Sequence, residues 1–558
     1  MLHTQTSLTG KRWIFRSALH ATMRVMSLND VMNLRSFPKS GMVDSWSFPD
    51  MQKICARMQT AIRNHENIGI FGDYDCDGIT STAQLVRLFR RQHTEPIVRL
   101  PHRIRDGYGI KPHHIDEFHS QGTTLLLIVD TGIGAHDAVS HAHTLGIDCI
   151  VVDHHTPKKT LPPAYGIIHP CLSQPPPISP PSAAGLTFAL VSAFEGESWE
   201  GRAEDLALAT IGTVADLVLL LGENRTLVQE GIHALRCLRN GPLAAFVQHV
   251  CPKQDRITGT DIAFRLAPRI NAAGRMDDPL LALYALTEEG DHHLHLETMN
   301  AKRQEYTREL FANLYETIPA SPPPFLINAS PLYPSGIIGL LAGKLTEIFG
   351  RPSLVASIQS GICTASLRSP PCYNVTEGLE RISDLLLSFG GHAQAAGCTF
   401  ALQNLDKVRA RLSNDVLEQT PEENLHPTLS LDARLLPSTV TLPFCSILSF
   451  LEPFGMGNPE PIFLLENVRL EHLTLIGKDR QHISGQIEGT RFVGFDLGNL
   501  VNTLPEKVDI ACTIQINTWN GRTSPQIMLK DIVSYTGTSS PSISKTAVTE
   551  TSKAAAIL

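Results

Sequence analysis

The sequence lacks several features that would place it in common classes of protein. Its 11 cysteines include no C-x-x-C pair, which argues against a disulfide framework and a structural zinc site. Its N-terminus lacks the apolar core of a signal peptide. Its most apolar stretch, residues 206–222, is interrupted by Asp216, so a membrane span is not expected. These absences predict a cytoplasmic protein.

An excess of positive charge is also missing. The chain has 47 Lys+Arg against 55 Asp+Glu, a formal net charge of −8. With this composition, binding to nucleic acid requires a local basic channel or metal ions that offset the phosphate charge. The length of 558 residues and the hydrophobic content of 42% indicate a globular chain. A chain of this length predicts about three to five domains.

The pattern of apolar residues changes along the chain. In the first part, continuous Val/Ile/Leu runs alternate with helical stretches, which is typical of a parallel doubly wound α/β sheet. Later, short alternating runs with Gly turns favour a small β-barrel. We therefore predict an N-terminal extension at 1–50, a parallel-sheet α/β domain at 51–238, a connector with a long helix at 239–320, a second, smaller α/β domain at 321–404, a barrel at 427–536 and a disordered tail at 537–558.

The segment IGIFGDYDCDG, residues 68–78, carries Asp73, Asp75 and Asp77 at alternate positions before a glycine. This spacing also begins helix–loop–helix calcium sites, which require a glutamate at loop position twelve. Here that position is Gln84, and the preceding IGIF has the pattern of a buried strand. The calcium interpretation is therefore disfavoured. A solvated turn is opposed by the mutual repulsion of three carboxylates on one face.

Further acidic and histidine residues follow other apolar runs. TTLLLIV leads to Asp130, IDCIVV leads to Asp153-His154-His155, and a fourth run, ATIGTVAD, ends at Asp216. Ligands collect at the carboxyl ends of strands in open α/β sheets, so we expect these side chains to meet the aspartates of GDYDCDG in one site. Carboxylates and imidazoles form a hard ligand set that suits manganese or magnesium better than thiolate-bound zinc.

The triplet Asp-His-His occurs twice, which provides an internal control. The second copy, Asp291-His292-His293, lies in a polar helical stretch with no apolar strand before it. We interpret this copy as solvated surface, because histidines outside such a context are usually structural.

Seven motifs in a fixed order resemble those of a known family. GDYDCDG, VDTG, VVDHH and GTVADLV match four motifs of the DHH phosphoesterase superfamily in order and type. PRINAAGRM, FGGHAQAAG and LEPFGMGNPEPIF resemble its RecJ branch, the single-strand-specific DNA exonucleases. The resemblance covers roughly residues 50 to 535. It implies a DHH catalytic domain at 51–238, a DHH-associated substrate-binding domain at 321–404 and an oligonucleotide-binding (OB) fold at 427–536.

The resemblance implies a manganese- or magnesium-dependent 5′→3′ exonuclease that releases 5′-mononucleotides from single-stranded DNA in recombination and repair. Asp75, Asp130 and His155 would carry catalysis, with Asp130 bridging two ions and His155 beside the scissile phosphate. The implied metal ligands are Asp73, Asp75, Asp77, Asp130, His154 and Asp216.

The same resemblance implies contacts to nucleic acid in the second lobe. Arg275, Ser366 and Arg368 would bind the 5′-phosphate, and Gly391 and His392 would lie against the strand. Arginine suits this role because its planar fork matches phosphate oxygens. The implied partners are a single-strand-binding protein and a RecQ-type helicase. We expect the enzyme to be a monomer.

Alternatives remain open at this point. A small-substrate DHH phosphoesterase would cleave oligoribonucleotides or cyclic dinucleotides, although such substrates need no extended barrel. A non-catalytic replication or repair scaffold would show degenerate motifs, whereas every acidic and histidine position is filled here. One position departs from the family, because its Trp-His before GVIG is replaced by Tyr333-Pro334.

Other residues have two interpretations each. Arg103 and Arg105 would guide the strand or lie in a solvated loop. The barrel aromatics Phe492, Phe495 and Trp519 would either stack on bases or lie in the core of the barrel. We favour the core, because small barrels bury such residues.

Overall fold

The computed structural model describes residues 7–16, 40–103, 105–157, 159–196, 198–519 and 521–535. The chain divides into two compact units. The first, called the α/β unit, comprises Ser27–Thr428 and Ser446–Pro461, and the second, called the β unit, comprises Met1–Met26, Leu429–Cys445 and Ile462–Leu558. The tail at 537–558 and much of the N-terminal extension lie outside the described residues.

The β unit begins with strand β1 (Arg12–Phe15), and the α/β unit contains a first sheet of five strands. These are β2 (Asn67–Phe71), β3 (Ile97–Arg99), β4 (Thr123–Val129), β5 (Asp148–Val152) and β6 (Gly166–Ile168). Their order is β3-β2-β4-β5-β6, and all neighbours are parallel. The predicted doubly wound sheet is therefore confirmed.

Strand β4 shows why these apolar runs form central strands. Leu125, Leu127 and Val129 pack into the core on one face of the sheet, and Leu126 and Ile128 pack into the core on the other. Helices cover both faces, so the strand is apolar throughout rather than alternating.

Helices account for most of the remaining α/β unit up to residue 316. A short π-helix, Ile262–Leu266, precedes the helix that carries PRINAAGRM. The helices are α1 (Met51–Arg63), α2 (Cys76–Arg91), α3 (Pro112–Ser120), α4 (His136–Thr144), α5 (Ala183–Glu195), α6 (Arg202–Ala215), α7 (Gly222–Cys237), α8 (Pro242–Val250), α9 (Ala267–Met276), α10 (Leu280–Thr287) and α11 (His292–Glu316). Helix α11, with 25 residues, is the predicted long helix of the connector.

The apolar run before Asp216 is helical and not a strand, which corrects the expectation that this residue follows a strand end. The run forms the C-terminal half of α6, and every residue from Asp205 to Val214 is buried. A helix buried on all sides has a continuously apolar sequence. Gly212 permits this burial, because a Cβ there would lie 2.5 Å from Ala184 Cβ.

The second sheet of the α/β unit is mixed. Its strands are β7 (Leu326–Ser330), β8 (Ser353–Gln359), β9 (Ile362–Arg368), β10 (Ser388–His392) and β11 (Ala395–Ala401), in the order β10-β11-β9-β8-β7. Only β7 and β8 are parallel to each other. Helices α12 (Ile338–Phe349), α13 (Val375–Arg381) and α14 (Leu405–Gln419) complete this part. Helix α14 packs Val408 and Leu412 into the same core as the sheet, beyond the predicted end at 404.

The β unit contains a sheet of seven strands: β13 (Ala433–Arg434), β14 (Phe463–Val468), β15 (Glu471–Ile476), β16 (His482–Ile487), β17 (Thr490–Gly494), β18 (Val508–Trp519) and β19 (Arg522–Ser534). Their order is β13-β14-β18-β19-β17-β16-β15. Strand β12 (Thr428–Leu431) pairs instead with β1. Buried Trp13 of β1 donates from Nε1 to Asp531 Oδ2 at 2.7 Å, so this part of the predicted extension belongs to the core of the β unit.

Helix α15 (Leu442–Ser449) leads to a segment that differs from the expected boundaries. Residues 446–461 were expected inside the barrel at 427–536, but they cluster with the α/β unit. The reason is a set of hydrogen bonds to α7, described below. Of the helices in the described parts of the chain, none has the length and apolar character needed to cross a bilayer.

Candidate metal centre and nucleic-acid contacts

The GDYDCDG segment forms the turn from β2 into α2. Helix α2 begins at Cys76, and the Asp75 carboxylate caps it by accepting from the backbone N–H groups of Asp77 and Gly78 at 3.1 and 3.2 Å. A Cβ on Gly78 would lie 2.6 Å from the backbone N of Asp73, so the turn requires glycine. Gln84 is buried inside α2, which excludes the twelve-residue calcium loop.

Asp77 and Asp130 are held from the backbone. The N-terminus of α5 donates to both Asp77 oxygens, from Ala183 N at 2.8 Å and Ala184 N at 3.0 Å. Asp130 directly follows β4 and has a φ of 59°, in the left-handed region. Such backbone costs about 1–3 kcal/mol for a non-glycine residue and often marks functional sites.

His154 lies at the centre of the acidic residues. Its Nε2 is 3.3 Å from Asp130 Oδ1, 3.5 Å from Asp216 Oδ2 and 3.8 Å from Asp77 Oδ2. Ligand atoms within 4.8 Å of one another form three overlapping groups, namely Asp130–His154–His155, Asp77–His154–Asp216 and Asp73–Asp75–Asp130. The structure thus brings all six predicted metal ligands together, with Asp130 and His154 each shared by two groups.

The electrostatics of this cluster fit a cation site. Asp73 Oδ1, Asp130 Oδ1 and His154 Nε2 are buried without a hydrogen-bond partner. Burial and repulsion between the carboxylates raise the pKa of Asp77 to about 7 and of Asp216 to about 9. The pKa values of Asp73 and Asp130 are raised for the same reasons. Divalent ions would satisfy the unpaired atoms, and a set of carboxylates with one imidazole suits Mn²⁺ or Mg²⁺.

Asp153, the first residue of the triplet, belongs to none of the three ligand groups and instead holds the histidines. It accepts from Ile133 N at 2.9 Å, from His154 N at 2.8 Å and from His155 Nδ1 at 2.8 Å. Burial alone would raise the Asp153 pKa, but the hydrogen bond and charge of His155 lower it to about 2. Burial lowers the His155 pKa, yet the bond to Asp153 outweighs it and raises the pKa to about 9. The sequence had assigned no role to Asp153.

Two further neighbours were not found from the sequence. Tyr108 places its hydroxyl 3.3 Å from both ring nitrogens of His155. Asn271, in PRINAAGRM, accepts from Cys76 N at 2.9 Å. A Cβ on Gly274 of the same motif would lie 2.4 Å from Tyr74 O. Much of this motif therefore packs α9 against the GDYDCDG turn, and no local sequence pattern indicates such a contact.

Three arginines lie close to the acidic cluster. Arg275 donates to Gly336 O at 3.1 Å, Arg368 donates to Ser366 Oγ at 3.1 Å, and Arg103 stacks over the Tyr74 ring. Burial and the neighbouring arginines lower the pKa of Arg275 to about 9, and that of Arg368 is lowered by burial and Arg103. Within the described residues, no carboxylate oxygen lies within salt-bridge distance of Arg275 or Arg368, so an anion would relieve their repulsion.

Gly391 and His392 lie on the exposed edge strand β10. His392 pairs with Ala395, which pairs in turn with Arg368, so His392 and Arg368 are two strands apart, about 10 Å. Gly391 has a φ of 143°, and a Cβ there would lie 2.5 Å from Ala396 Cα. The second sheet thus places four of the five predicted nucleic-acid contacts at one end.

The remaining candidates divide between core and surface. Tyr333, at the position of the family's Trp-His, is 7% exposed, and its hydroxyl donates to Asn328 Oδ1. Arg105 is exposed, Phe492 is buried and Phe495 is 56% exposed. The Trp519 side chain lies outside the described residues.

Comparisons with known proteins agree with this architecture. Three family models match, namely the DHH family, N-terminal domain, at residues 67–220, the DHHA1 domain at 324–418 and the RecJ OB domain at 431–531. Among solved structures, RecJ in complex with Mn²⁺ from Thermus thermophilus matches with a TM-score of 0.76 and 29% identity, covering 87% of this chain and 72% of that one. The Mg²⁺ complex from the same organism matches with a TM-score of 0.72 and 26% identity, covering 94% and 78%.

Curated relatives extend this likeness along the chain. The single-stranded-DNA-specific exonuclease RecJ of Bacillus subtilis (strain 168) is 32% identical over 507 residues, which are 88% of this chain and 64% of the relative. This chain therefore spans less than two thirds of that protein. The RecJ of Escherichia coli (strain K12) is 31% identical over 535 residues, 88% of this chain and 92% of the relative. Together with the three domains in order, this identity shows that the chain belongs to the RecJ family of single-stranded-DNA-specific exonucleases.

Proposed function

We propose that this chain is a Mn²⁺- or Mg²⁺-dependent exonuclease that degrades single-stranded DNA from its 5′ end to 5′-mononucleotides, in recombination and repair. The observation that carries the proposal is the convergence of three unpaired, buried ligand atoms, from Asp73, Asp130 and His154, in one acidic cluster. The relatives' activity and the metal ions in the Thermus thermophilus structures support the same chemistry.

Six side chains would hold the ions, with Asp130 shared between them. The ligands are Asp73, Asp75, Asp77, Asp130, His154 and Asp216. Two bound divalent ions supply an activated water and stabilise the charge of the leaving oxygen in an in-line displacement. The backbone donors to Asp77 and Asp75 orient these carboxylates before any ion binds.

His155 and Asp153 form a pair for proton and charge handling. Asp153 keeps the His155 ring in one orientation and favours its protonated form. A protonated His155 can donate to an oxygen of the scissile phosphate or to the departing oxygen. Asp75, Asp130 and His155 are accordingly the proposed catalytic residues.

The arginines would determine the polarity of degradation. Arg275 and Arg368, with Ser366, form a cationic group beside the acidic cluster and are suited to a terminal 5′-phosphate. Gly391 and His392 would contact the following nucleotides along the exposed edge strand. The positive charge of the arginines would offset the phosphate charge locally, in a chain whose net charge is −8.

We further propose a cytoplasmic location and two protein partners. All eleven cysteines are free, which supports a reducing, cytoplasmic location. The expected partners, a single-strand-binding protein and a RecQ-type helicase, and the monomeric state derive from the family resemblance. Co-purification and analytical ultracentrifugation would test them.

Product analysis tests the main proposal. Single-stranded DNA labelled at either end is incubated with the purified chain and Mn²⁺, with EDTA as the control. We expect mononucleotides released from the 5′ end, faster on 5′-phosphorylated than on 5′-hydroxyl strands. Release from the 3′ end, or turnover of dinucleotides but not of long strands, would contradict the proposal and favour a small-substrate phosphoesterase.

A further inference from the structure

The connection between α6 and α7, residues 217–221, begins directly after Asp216 and is held from two sides. On one side, Leu219 O accepts from Ser179 Oγ and from Asn224 Nδ2, both at 3.1 Å. On the other side, Leu220 N donates to Met456 O at 2.8 Å. Leu217 has a φ of 60°, a strained backbone that the surroundings must maintain. The position of the Asp216 carboxylate therefore depends on these contacts.

The segment that reaches Leu220, residues 450–458, is held by two side chains of α7: Gln229 donates from Nε2 to Glu452 O at 3.2 Å, and the buried Arg225 makes the larger set of hydrogen bonds. Arg225 is 5% exposed, and its guanidinium donates to the main-chain oxygens of Phe450, Leu451, Glu452 and Pro453, the shortest contact being 2.6 Å to Glu452 O. Hydrogen bonds from a charged donor are stronger than those between neutral groups, so the arginine holds this segment against α7.

Asn458 closes the same segment into a tight turn. Its side-chain amide is fully buried and donates to Leu451 O at 2.7 Å and Pro453 O at 2.8 Å. Its backbone exchanges two hydrogen bonds with Gly455. A Cβ on Gly455 would lie 2.7 Å from Leu220 Cδ1, so the turn packs directly on the connection.

We propose that Arg225 and Asn458 are positioning residues for the metal centre. They hold the 450–458 turn, the turn holds Leu220, and the connection in turn sets Asp216 toward His154, 3.5 Å away. This gives the motif LEPFGMGNPEPIF a role in metal binding, although it lies more than two hundred residues beyond the last ligand in the sequence. The inference rests on the proposed metal role of Asp216.

Calorimetric titration of Mn²⁺ into the full chain without DNA tests the inference. We expect Arg225→Ala and Asn458→Ala to weaken Mn²⁺ binding about 10- to 100-fold, the range of residues that orient metal ligands from behind. At saturating Mn²⁺, kcat should recover toward wild type, and KM for DNA should stay unchanged. Arg225→Lys keeps a cation with three donors and should restore part of the affinity.

Gly455→Ala provides a second route to the same result if Arg225→Ala does not fold. It removes no polar contact but pushes on Leu220, so we expect Mn²⁺ binding to weaken several-fold. Arg381→Ala is the control for general destabilisation. Arg381 lies on α13 and donates to both carboxylate oxygens of the buried Asp415, and neither residue belongs to the 217–221 connection or to the 450–458 turn. Its Mn²⁺ affinity should equal that of wild type.

The outcomes separate the two proposals. If the wild-type chain binds no Mn²⁺, the proposed metal centre itself is wrong. If wild type binds Mn²⁺ and the folded variants at Arg225, Asn458 and Gly455 bind it equally well, the positioning role is wrong. An equal loss in Arg381→Ala would attribute the effect to general destabilisation and would also overturn the role.

Discussion

The two Asp-His-His triplets of this chain have the same three residues and different surroundings. Asp153 follows a central strand, is 1% exposed, and accepts hydrogen bonds from three neighbouring residues, while His154 faces three carboxylates. Asp291 is exposed at the start of α11, and its side chain does not cap that helix. His293 lies against the ring of His249. The triplet therefore acquires chemistry from the strand that precedes it and from the carboxylates brought to the same sheet edge.

The largest difference in activity is expected between a variant of His154, in the first triplet, and a variant of His293, in the second. His154→Ala removes the imidazole shared by two ligand groups and should lower kcat at least about a thousandfold, since metal ions stabilise several kcal/mol of charge in such displacements. His293→Ala should stay within about twofold of wild type. Single-turnover assays on 5′-labelled single-stranded DNA with Mn²⁺ measure both. Equal losses in the two variants would remove the distinction.

A smaller difference in activity is expected between variants of Asp153 and Asp291, the first residues of the two triplets. Asp153→Asn keeps the shape but removes the charge that orients and protonates His155, so kcat should fall about 10- to 100-fold, as for other groups that orient metal-site residues. The His155 pKa, measured by NMR on the metal-free protein, should fall from its raised value toward about 6.5, since the charge and hydrogen bond of Asp153 no longer oppose burial. Asp291→Asn should change neither quantity. An unchanged His155 pKa in Asp153→Asn would disprove the pairing.

The free energy of unfolding without metal should also depend on the carboxylates that surround the first triplet. The raised pKa values of Asp77, about 7, and Asp216, about 9, mean that the folded state binds more protons than the unfolded state between about pH 4 and pH 9. Stability is then greatest below the unfolded pKa and decreases as pH rises through about 7 and about 9. Mn²⁺ at about a hundred times its Kd should restore about 2.7 kcal/mol.

Thermal melts at acidic, neutral and alkaline pH, in EDTA and in Mn²⁺, measure this effect. Asp130→Asn removes one repelling charge and should flatten the pH dependence in EDTA, whereas Asp291→Asn should leave it as in wild type. A melting temperature in EDTA that rises with pH over this range would contradict the electrostatic account of the cluster.

The smallest effect is expected from removing the second triplet's imidazoles together. The double variant His292→Ala/His293→Ala should change the free energy of unfolding by no more than about 0.5 kcal/mol, as for surface substitutions generally. Urea titration followed by circular dichroism measures this change. A loss of several kcal/mol would show that the second triplet has a structural role that its half-exposed rings do not suggest.

Much of the site could be predicted from the sequence because it depends on local patterns. Buried strands ending in acidic residues identified Asp73, Asp130 and the first triplet, and the parallel sheet then required them to meet. Asp216 was placed in the right site for the wrong reason, because a helix buried on all sides has the same apolar pattern as a central strand. Its position depends on how α6 packs, which the sequence does not state.

Other features depend on contacts between distant segments and have no local signal. Asn271 contacts Cys76 across nearly two hundred residues, and Arg225 reaches the 450–458 turn across an even longer interval. The motif that contains this turn was recognised from the family resemblance, which placed it inside the predicted barrel at 427–536. Its hydrogen bonds to α7 and to Leu220 join it to the α/β unit.

The distribution of the ligands along the chain has a consequence during synthesis. The ligands between Asp73 and His154 leave the ribosome well before Asp216. Helix α5, whose N-terminus holds Asp77, emerges after His154 and before Asp216. Since domains fold as units while the N-terminal part emerges first, an incomplete chain carries part of an ion-binding set without the helix that completes it. Under the proposed function, the nascent chain would thus be inert, and hydrolysis of DNA would begin only once the α/β unit has folded.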